Sequence, residues 1–319
     1  MFSFIKKRFL HRFILVYHNN TNISIQIYDI KNQNIENQIS EDFTLENKDE
    51  FTDEVVEFIN TKQEEVSRSY IVTLVNSLGQ GIVPTCSTSE FIKYSVDRRY
   101  TYNICVDGLF ANYVSKIDIN WIQKIFSKTG IDLIFSPFLL LKDIAIEDRE
   151  MIETTLYILY IDHSASIMIK KDEKFLYGAF FNTTKEENPL YCDYEKDEEV
   201  DEDEFEIEDD IEIDIDEDEL DLQDSLDDTV EEPDSIKDVE LIEENKTFTK
   251  FLSNSLKEFY SNPIYDGNFI DRVKIYAEED IDKSVIEFIE NELFLSTEFN
   301  LVELDPIVLK YAQKEVLGV

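Results

Sequence analysis

The residues best placed by type and spacing to do chemistry are Asp162, Ser164 and Ser166, in the run Ile161-Asp162-His163-Ser164-Ala165-Ser166. A carboxylate at the end of an apolar stretch could hold a magnesium ion while the two hydroxyls contact a phosphate. An Asx or Ser turn leaving a buried strand needs the same residues, so spacing alone leaves both readings open. His11, His18 and His163 are scattered, with no Cys or second His at ligand spacing, and no metal site is expected. The carboxylates crowded into residues 193–244 are solvated rather than split between two environments, which argues against acid–base chemistry. That run also contains no Gly, which an EF-hand loop requires. Neither G-x-S-x-G, a P-loop nor H-E-x-x-H occurs. No catalytic residue is expected.

The elements that would position Asp162 are legible from periodicity. Leu156 to Ile161 is apolar throughout, as a strand buried on both faces must be. After the hydroxyl-bearing turn, Ile167-Met168-Ile169 and Lys174 to Phe181 form a hairpin around Lys171-Asp172-Glu173. The chain opens with a similar pair: Phe13 to Tyr17 is continuously apolar and Ile23 to Ile30 alternates, separated by a turn over residues 18–22. Helical spacing follows at Phe51, Val55, Phe58 and Ile59, then a buried strand over Tyr70 to Val75. Further short strands are expected at Asn103–Val106 and Ile131–Phe135. Helices are expected at Asp118–Ser127, capped by Gly130, and at Pro137–Ile144. Beyond the acidic run, Phe248, Phe251, Leu252, Leu256 and Phe259 mark an amphipathic helix, Arg272–Tyr276 a strand, Val285–Leu293 a helix and Asn300–Leu304 a last strand.

At 319 residues the chain can support two lobes with separate cores. Its net charge of −41 is concentrated in residues 193–244, where 30 acids face 2 lysines. That density of like charge predicts a disordered insertion. A nucleic-acid partner is not expected, because only the short group Lys6, Lys7, Arg8, His11 and Arg12 is basic. Cys86, Cys105 and Cys192 are odd in number and lack CxxC spacing, which predicts reduced thiols and a cytoplasmic setting. No apolar run approaches the roughly 18–20 residues that cross a bilayer. The N-terminal mixture of Phe2, Phe4, Phe9 and Phe13 with bases predicts at most peripheral contact with an anionic membrane surface.

This order of elements resembles the actin-like fold of the PilM family, cytoplasmic components of type IV pilus machines, and of its relatives GspL and FtsA. The segment Asn103 to Leu141, containing Val106-Asp107-Gly108-Leu109 and Gly130-Ile131-Asp132, is similar to the PilM stretch that leads from a helix into a strand and a further helix. The resemblance implies an α/β, actin-like (ribonuclease H-like), two-lobed fold with a disordered acidic insertion. The first lobe with an inserted subdomain covers 1–150 and the start of the second lobe 151–192. The insertion covers 193–244, and the rest of the second lobe 245–319. In that fold each lobe opens with a hairpin whose turn holds a nucleotide phosphate, usually through Asp-Ile-Gly and small hydroxylated residues. Here the first turn, Tyr17-His18-Asn19-Asn20-Thr21-Asn22, has neither Asp nor Gly. The second keeps Asp162, Ser164 and Ser166 but carries His163 in place of Gly, so these three residues read as a vestigial phosphate loop. The glycine turn that would hold adenosine is replaced by Ala277-Glu278-Glu279-Asp280, and the acidic run stands where the family has a wall of the cleft.

The expected function is therefore a non-catalytic PilM-like scaffold without a cofactor, cytoplasmic and peripheral to the inner membrane. The resemblance implies a partner: a PilN-like single-span inner-membrane protein whose short cytoplasmic tail is bound. Type IV pilus, type II secretion, DNA-uptake and flagellar-motor assemblies with pilus-like parts all fit. Self-association into a ring is a further option. The alternative is an actin-like nucleotide-binding switch acting through Asp162 and Ser164. A weaker reading makes the acidic segment itself the functional part.

Overall fold

The computed structural model describes residues 9–19, 21–45, 49–148, 153–183, 236–265 and 267–318. The basic N-terminal residues up to Arg8, most of the expected insertion and the expected loss of the cleft wall lie outside the described residues.

The first sheet is built from β1 (His11–His18), β2 (Asn22–Lys31), β3 (Asn34–Thr44), β4 (Ser69–Leu74) and β8 (Leu133–Phe135), in the order β3-β2-β1-β4-β8. The first three strands form an antiparallel meander, whereas β4 and β8 join in parallel. The second sheet repeats this plan. There β9 (Thr155–Ile161), β10 (Ser164–Lys171) and β11 (Lys174–Asn182) are the meander, and β12 (Arg272–Ala277) and β13 (Ser296–Leu301) add in parallel, giving β11-β10-β9-β12-β13. A duplicated five-stranded sheet of this order, with one reversed strand, is the actin-like, ribonuclease H-like arrangement that the sequence led one to expect.

The central strands β1 and β9 are apolar because both of their faces are covered. Phe13 and Leu15 face the core shared by the two lobes, while Ile14 and Val16 face the outer core of the first. Likewise Tyr157 and Leu159 face the shared core, and Leu156 and Ile158 the outer core of the second. The outer layers contain α1 (Asp53–Glu64) and α2 (Lys116–Ile125) in the first lobe, with α4 (Ile236–Ser261) and α5 (Lys283–Asn291) in the second. Two helices fill the shared core, α3 (Pro137–Glu147) through Phe138, Leu141 and Ala145 and α6 (Leu304–Leu317) through Val308 and Ala312. Serine caps start two of these helices: Ser115 accepts from the Ile117 amide and Ser136 from that of Phe138. Gly130 ends the α2 segment at φ +77°, donating to Phe126 O at 2.7 Å.

Residues 80–115 fold as β5 (Gln80–Val83), β6 (Thr101–Val106) and β7 (Phe110–Ser115), an antiparallel unit that extends the second sheet through one Gly81–Ala179 bridge to β11. Gly178 permits this approach, since a Cβ there would stand 2.6 Å from Ile82 Cγ1. Strand β6 ends the sheet, and its Tyr102 and Ile104 are 53% and 72% exposed.

Three sequence expectations are corrected. Cys86 and Cys105 are not free thiols but a disulfide: the β5–β7 and β7–β6 pairings draw the two residues to a Cα separation of 5.3 Å. The span assigned to disorder ran to Glu244, yet α4 starts at Ile236, where Ile236, Val239 and Ile242 continue the helical spacing of Phe248 and Leu252. The terminal strand ends at Leu301, and Leu304 opens a helix instead, because Pro306 sits in its first turn, where no intrahelical N–H is needed.

Candidate functional site

The two hairpin turns meet at one end of the shared core. In the first, Asn19 Oδ1 accepts from the amides of Thr21 at 2.9 Å and Asn22 at 2.7 Å, closing an Asx turn. In the second, Asp162 and His163 adopt φ of +44° and +59°, a left-handed pair suited to a two-residue hairpin and unusual for side-chain-bearing residues. Ser164 Oγ donates to Ile161 O at 2.7 Å, so its proton is already engaged in the turn. The turns touch directly: Asn19 Nδ2 donates to Asp162 Oδ1 at 2.8 Å. This contact links the first hairpin turns of the two lobes.

Beneath this link lies a cavity of about 250 Å³. Asp162, Ser164 and Ser166 all line it, so the three residues singled out from sequence are brought together; Ser164 and Ser166 are buried. Apolar walls come from Leu74, Pro137, Leu159, Ile161, Phe180 and Leu304. The ionisable lining is acidic: Asp162, Glu278 and Asp305, with neither Lys nor Arg among the described residues of the wall. Burial pushes the Glu278 carboxyl up from its ordinary value, and Asp305, Asp162 and Glu279 push it further, against a hydrogen bond from the Leu304 amide. Asp305 accepts from Tyr28 Oη at 2.9 Å. Burial lowers His18 to about 4, so this imidazole supplies no charge at neutral pH.

His163 has a task that glycine could not perform. Its Nδ1 lies 2.7 Å from Glu244 Oε1, and the same carboxylate accepts from Thr183 Oγ1 at 2.8 Å and from Tyr160 Oη. The hydrogen bond to Glu244 raises the His163 pKa, and these three partners hold Glu244 below its ordinary value against burial. Helix α4 is thereby fastened to the turn it follows in space. Sequence reasoning found the Asp162 turn and the acidic run Ala277-Glu278-Glu279-Asp280, but did not single out Asn19, Glu244 or Asp305. Asn19 was legible as a turn former; Glu244 was hidden within a run of acids. No group of three or more His, Cys, Asp or Glu side chains among the described residues is arranged to hold a metal ion.

Several known structures are similar to this one. A Bacteroides thetaiotaomicron protein of actin-like ATPase fold and unknown function is 9% identical, with 97% of this chain and 98% of that chain covered and a TM-score of 0.49. The PilM-PilN type IV pilus biogenesis complex contains a chain 10% identical, with 92% and 88% covered and a TM-score of 0.44. A Ppx/GppA family member from Aquifex aeolicus is 9% identical, with 84% and 66% covered and a TM-score of 0.33. No curated protein matches the sequence. Residues 9–142 match the model described as Domain of unknown function (DUF8569). Residues 156–317, just over half of the chain, match the model described as Domain of unknown function (DUF8341), and the chain belongs to that family.

Proposed function

We propose that this protein is a non-catalytic, PilM-like scaffold that docks on a membrane-anchored partner. The observation that carries the reading is the chemistry of the cleft: Asp162, Glu278 and Asp305 line it without a balancing Lys or Arg among the described lining residues, and Asn19 bridges to Asp162 between the two turns. A nucleotide polyphosphate needs backbone N–H groups in open turns and cationic side chains. Here it would meet carboxylates and a turn whose hydroxyl and imidazole are already bonded. An actin-like body with such a cleft keeps its rigid two-lobed surface as its useful feature.

The partner is a PilN-like single-span protein of an inner-membrane machine, bound through a short cytoplasmic tail, with the chain on the cytoplasmic face. Strand β6 offers a place for such a tail. It ends its sheet, so its outer edge can accept an extended peptide by strand addition. Exposed Tyr102 and Ile104 supply apolar contacts, with the Lys116 ammonium 5.6 Å from the Tyr102 ring centroid. Co-purification from membranes tests the reading. Wild type and a deletion of residues 193–235 should both recover a single-span protein, and Ile104→Lys should lose it. Recovery only through the deleted segment, or a protein that stays alone, would overturn the scaffold assignment. Saturable Mg-ATP binding lost in Asp162→Ala would favour a nucleotide switch instead.

A further inference from the structure

We infer that the segment received by β6 is an extended peptide of the partner, with apolar residues at alternate positions and a carboxylate at the end that lies beside Tyr100. The inference rests on the reading that a partner's tail adds to this edge, and it goes on to name the chemistry of that tail.

The backbone of β6 sets the spacing. Lys116 N donates to Tyr100 O at 2.8 Å, and the ladder continues through the pairs Tyr102–Val114, Ile104–Asn112 and Val106–Phe110. Hydrogen-bonded pairs alternate in an antiparallel ladder, so Tyr102, Ile104 and Val106 direct their backbone groups to β7. The alternation on the far side of β7 agrees: Ser115 N donates to Gly79 O at 2.6 Å, which turns Ser115, Tyr113 and Ala111 toward β5 and leaves Val114, Asn112 and Phe110 for β6. Thr101, Asn103 and Cys105 therefore present their amides and carbonyls to the open edge. Tyr102 and Ile104 then face an added strand at the non-hydrogen-bonded positions, where side chains approach closest. Both are exposed, as is Tyr100, so three large side chains at two-residue spacing line one face. A strand seated here buries apolar side chains opposite Tyr102 and Ile104, with polar ones between.

Charge then distinguishes the two ends. Arg98 and Arg99 precede Tyr100, and Lys116 stands across the ladder from it, with Nζ donating to Arg99 O at 2.8 Å. Asp97 is the acid of this group and is held by Arg99 at 2.5 Å, while neither Arg98 nor Lys116 enters an ion pair among the described residues. Beyond the other end of β6 stands Asp107, 2.7 Å from Lys142 Nζ. The edge thus runs from cationic to anionic, in a chain whose net charge is −41. A carboxylate opposite Tyr100 is attracted by cations that lack a partner, and a lysine there is repelled.

Fluorescence anisotropy of labelled, end-blocked peptides with the full-length protein tests the assignment. Thr-Val-Thr-Val-Thr-Glu places its carboxylate opposite Tyr100 in an antiparallel strand, Glu-Thr-Val-Thr-Val-Thr does so in a parallel one, and lysine replaces glutamate in two controls. One glutamate peptide should bind about fivefold or more tighter than its lysine control at low salt, since an attraction replaces a repulsion and each is the size of an exposed ion pair. The difference should shrink as salt rises. Methylating alternate backbone nitrogens of that peptide should remove binding in one phase and spare it in the other, as strand addition requires. Arg98→Glu, at an exposed residue, should abolish the preference for glutamate, with Lys116→Gln as a second test should that variant not fold; Ile104→Lys should lose both peptides. Equal affinity for glutamate and lysine peptides, tighter binding of lysine, or no binding of any peptide overturns the inference, and co-purification from membranes still decides the scaffold reading by itself. The run Ile211-Glu212-Ile213-Asp214-Ile215-Asp216 carries the same alternation within this chain. Deletion of residues 193–235 should leave peptide affinity unchanged, whereas a gain of about tenfold would make this run the occupant and overturn the assignment to a partner.

Discussion

Arg12 on β1 is the buried cation whose removal should be most damaging to the frame that holds the first turn. Its Nε donates to Asp29 Oδ1 at 2.7 Å and its second terminal nitrogen to Asp29 Oδ2 at 2.8 Å, a bidentate pair between neighbouring strands with side chains only 5% and 7% exposed. The remaining nitrogen reaches Lys62 O at 2.9 Å and Glu65 at 2.6 Å, tying β1 to the C-terminal end of α1. Arg12→Met keeps much of the aliphatic stem but leaves the buried Asp29 carboxylate without its cation, with only the longer bond from Asn37 Nδ2 at 3.4 Å, a defect that costs about 3–5 kcal/mol. With a urea slope of about 3 kcal/mol/M for a chain of this size, the unfolding midpoint should fall by about 1–1.7 M. The pH dependence gives a stricter check. In the wild type the bond to Arg12 holds Asp29 below its ordinary value, so the pair's contribution is present above the unfolded carboxylate pKa, near 3.9, and is lost as pH falls through the lower folded value. In the variant burial pushes the lone carboxyl up instead. The deficit relative to wild type should therefore be largest at neutral pH and shrink below about pH 5, as Asp29 is protonated in the variant. Adding Asp29→Leu to Arg12→Met should restore most of the loss. A midpoint within about 0.3 M of wild type, or a deficit independent of pH, would refute this account of the pair.

Other perturbations have distinct readouts. His18 is held neutral, with a folded pKa of about 4 against an unfolded 6.5, so the unfolded chain takes up a proton that the folded one refuses. Stability should fall by up to about 3 kcal/mol as pH drops through that interval, and His18→Gln should flatten this part of the profile in a comparison of denaturation curves. Cys86→Ser opens a bond spanning 19 residues and should cost about 3 kcal/mol in oxidised protein but nothing beyond the effect of reductant alone, measured by thermal unfolding with and without dithiothreitol. The proposed cytoplasmic setting predicts that Cys86 and Cys105, placed close enough to bond on oxidation, are both trapped as free thiols in intact cells, and recovery of the bonded pair from cells would contradict that setting.

How far the fold could be read depended on how much each segment's burial constrained its sequence. Strands β1, β4 and β9 were plain because burial on both faces demands uninterrupted apolar residues. The meander strand β3 was invisible for the opposite reason. Exposed over most of its length at a sheet edge, it carries Asn34, Glu36, Asn37 and Gln38 and has no apolar alternation to detect. Strands β5 and β7 are short, and their pairing is non-local, so no local pattern announced them. The disulfide depended on that same pairing, which is why counting cysteines led to free thiols. At the site, the residues of the Asp162 turn were legible because a hairpin between two buried strands fixes where they lie. Asp305 could be found only after the helix boundary was moved, and Glu244 only once α4 was known to begin before it.

The central claim is that the actin-like cleft of this chain does not serve a nucleotide. Titration calorimetry of the full-length protein with Mg-ATP, beside Asp162→Ala, measures this directly. No saturable heat in either protein is the expected result, because the cleft is lined by Asp162, Glu278 and Asp305 without a Lys or Arg among its described lining residues, and Asp162 is already bonded to Asn19. Submicromolar binding by the wild type that disappears in Asp162→Ala would contradict it.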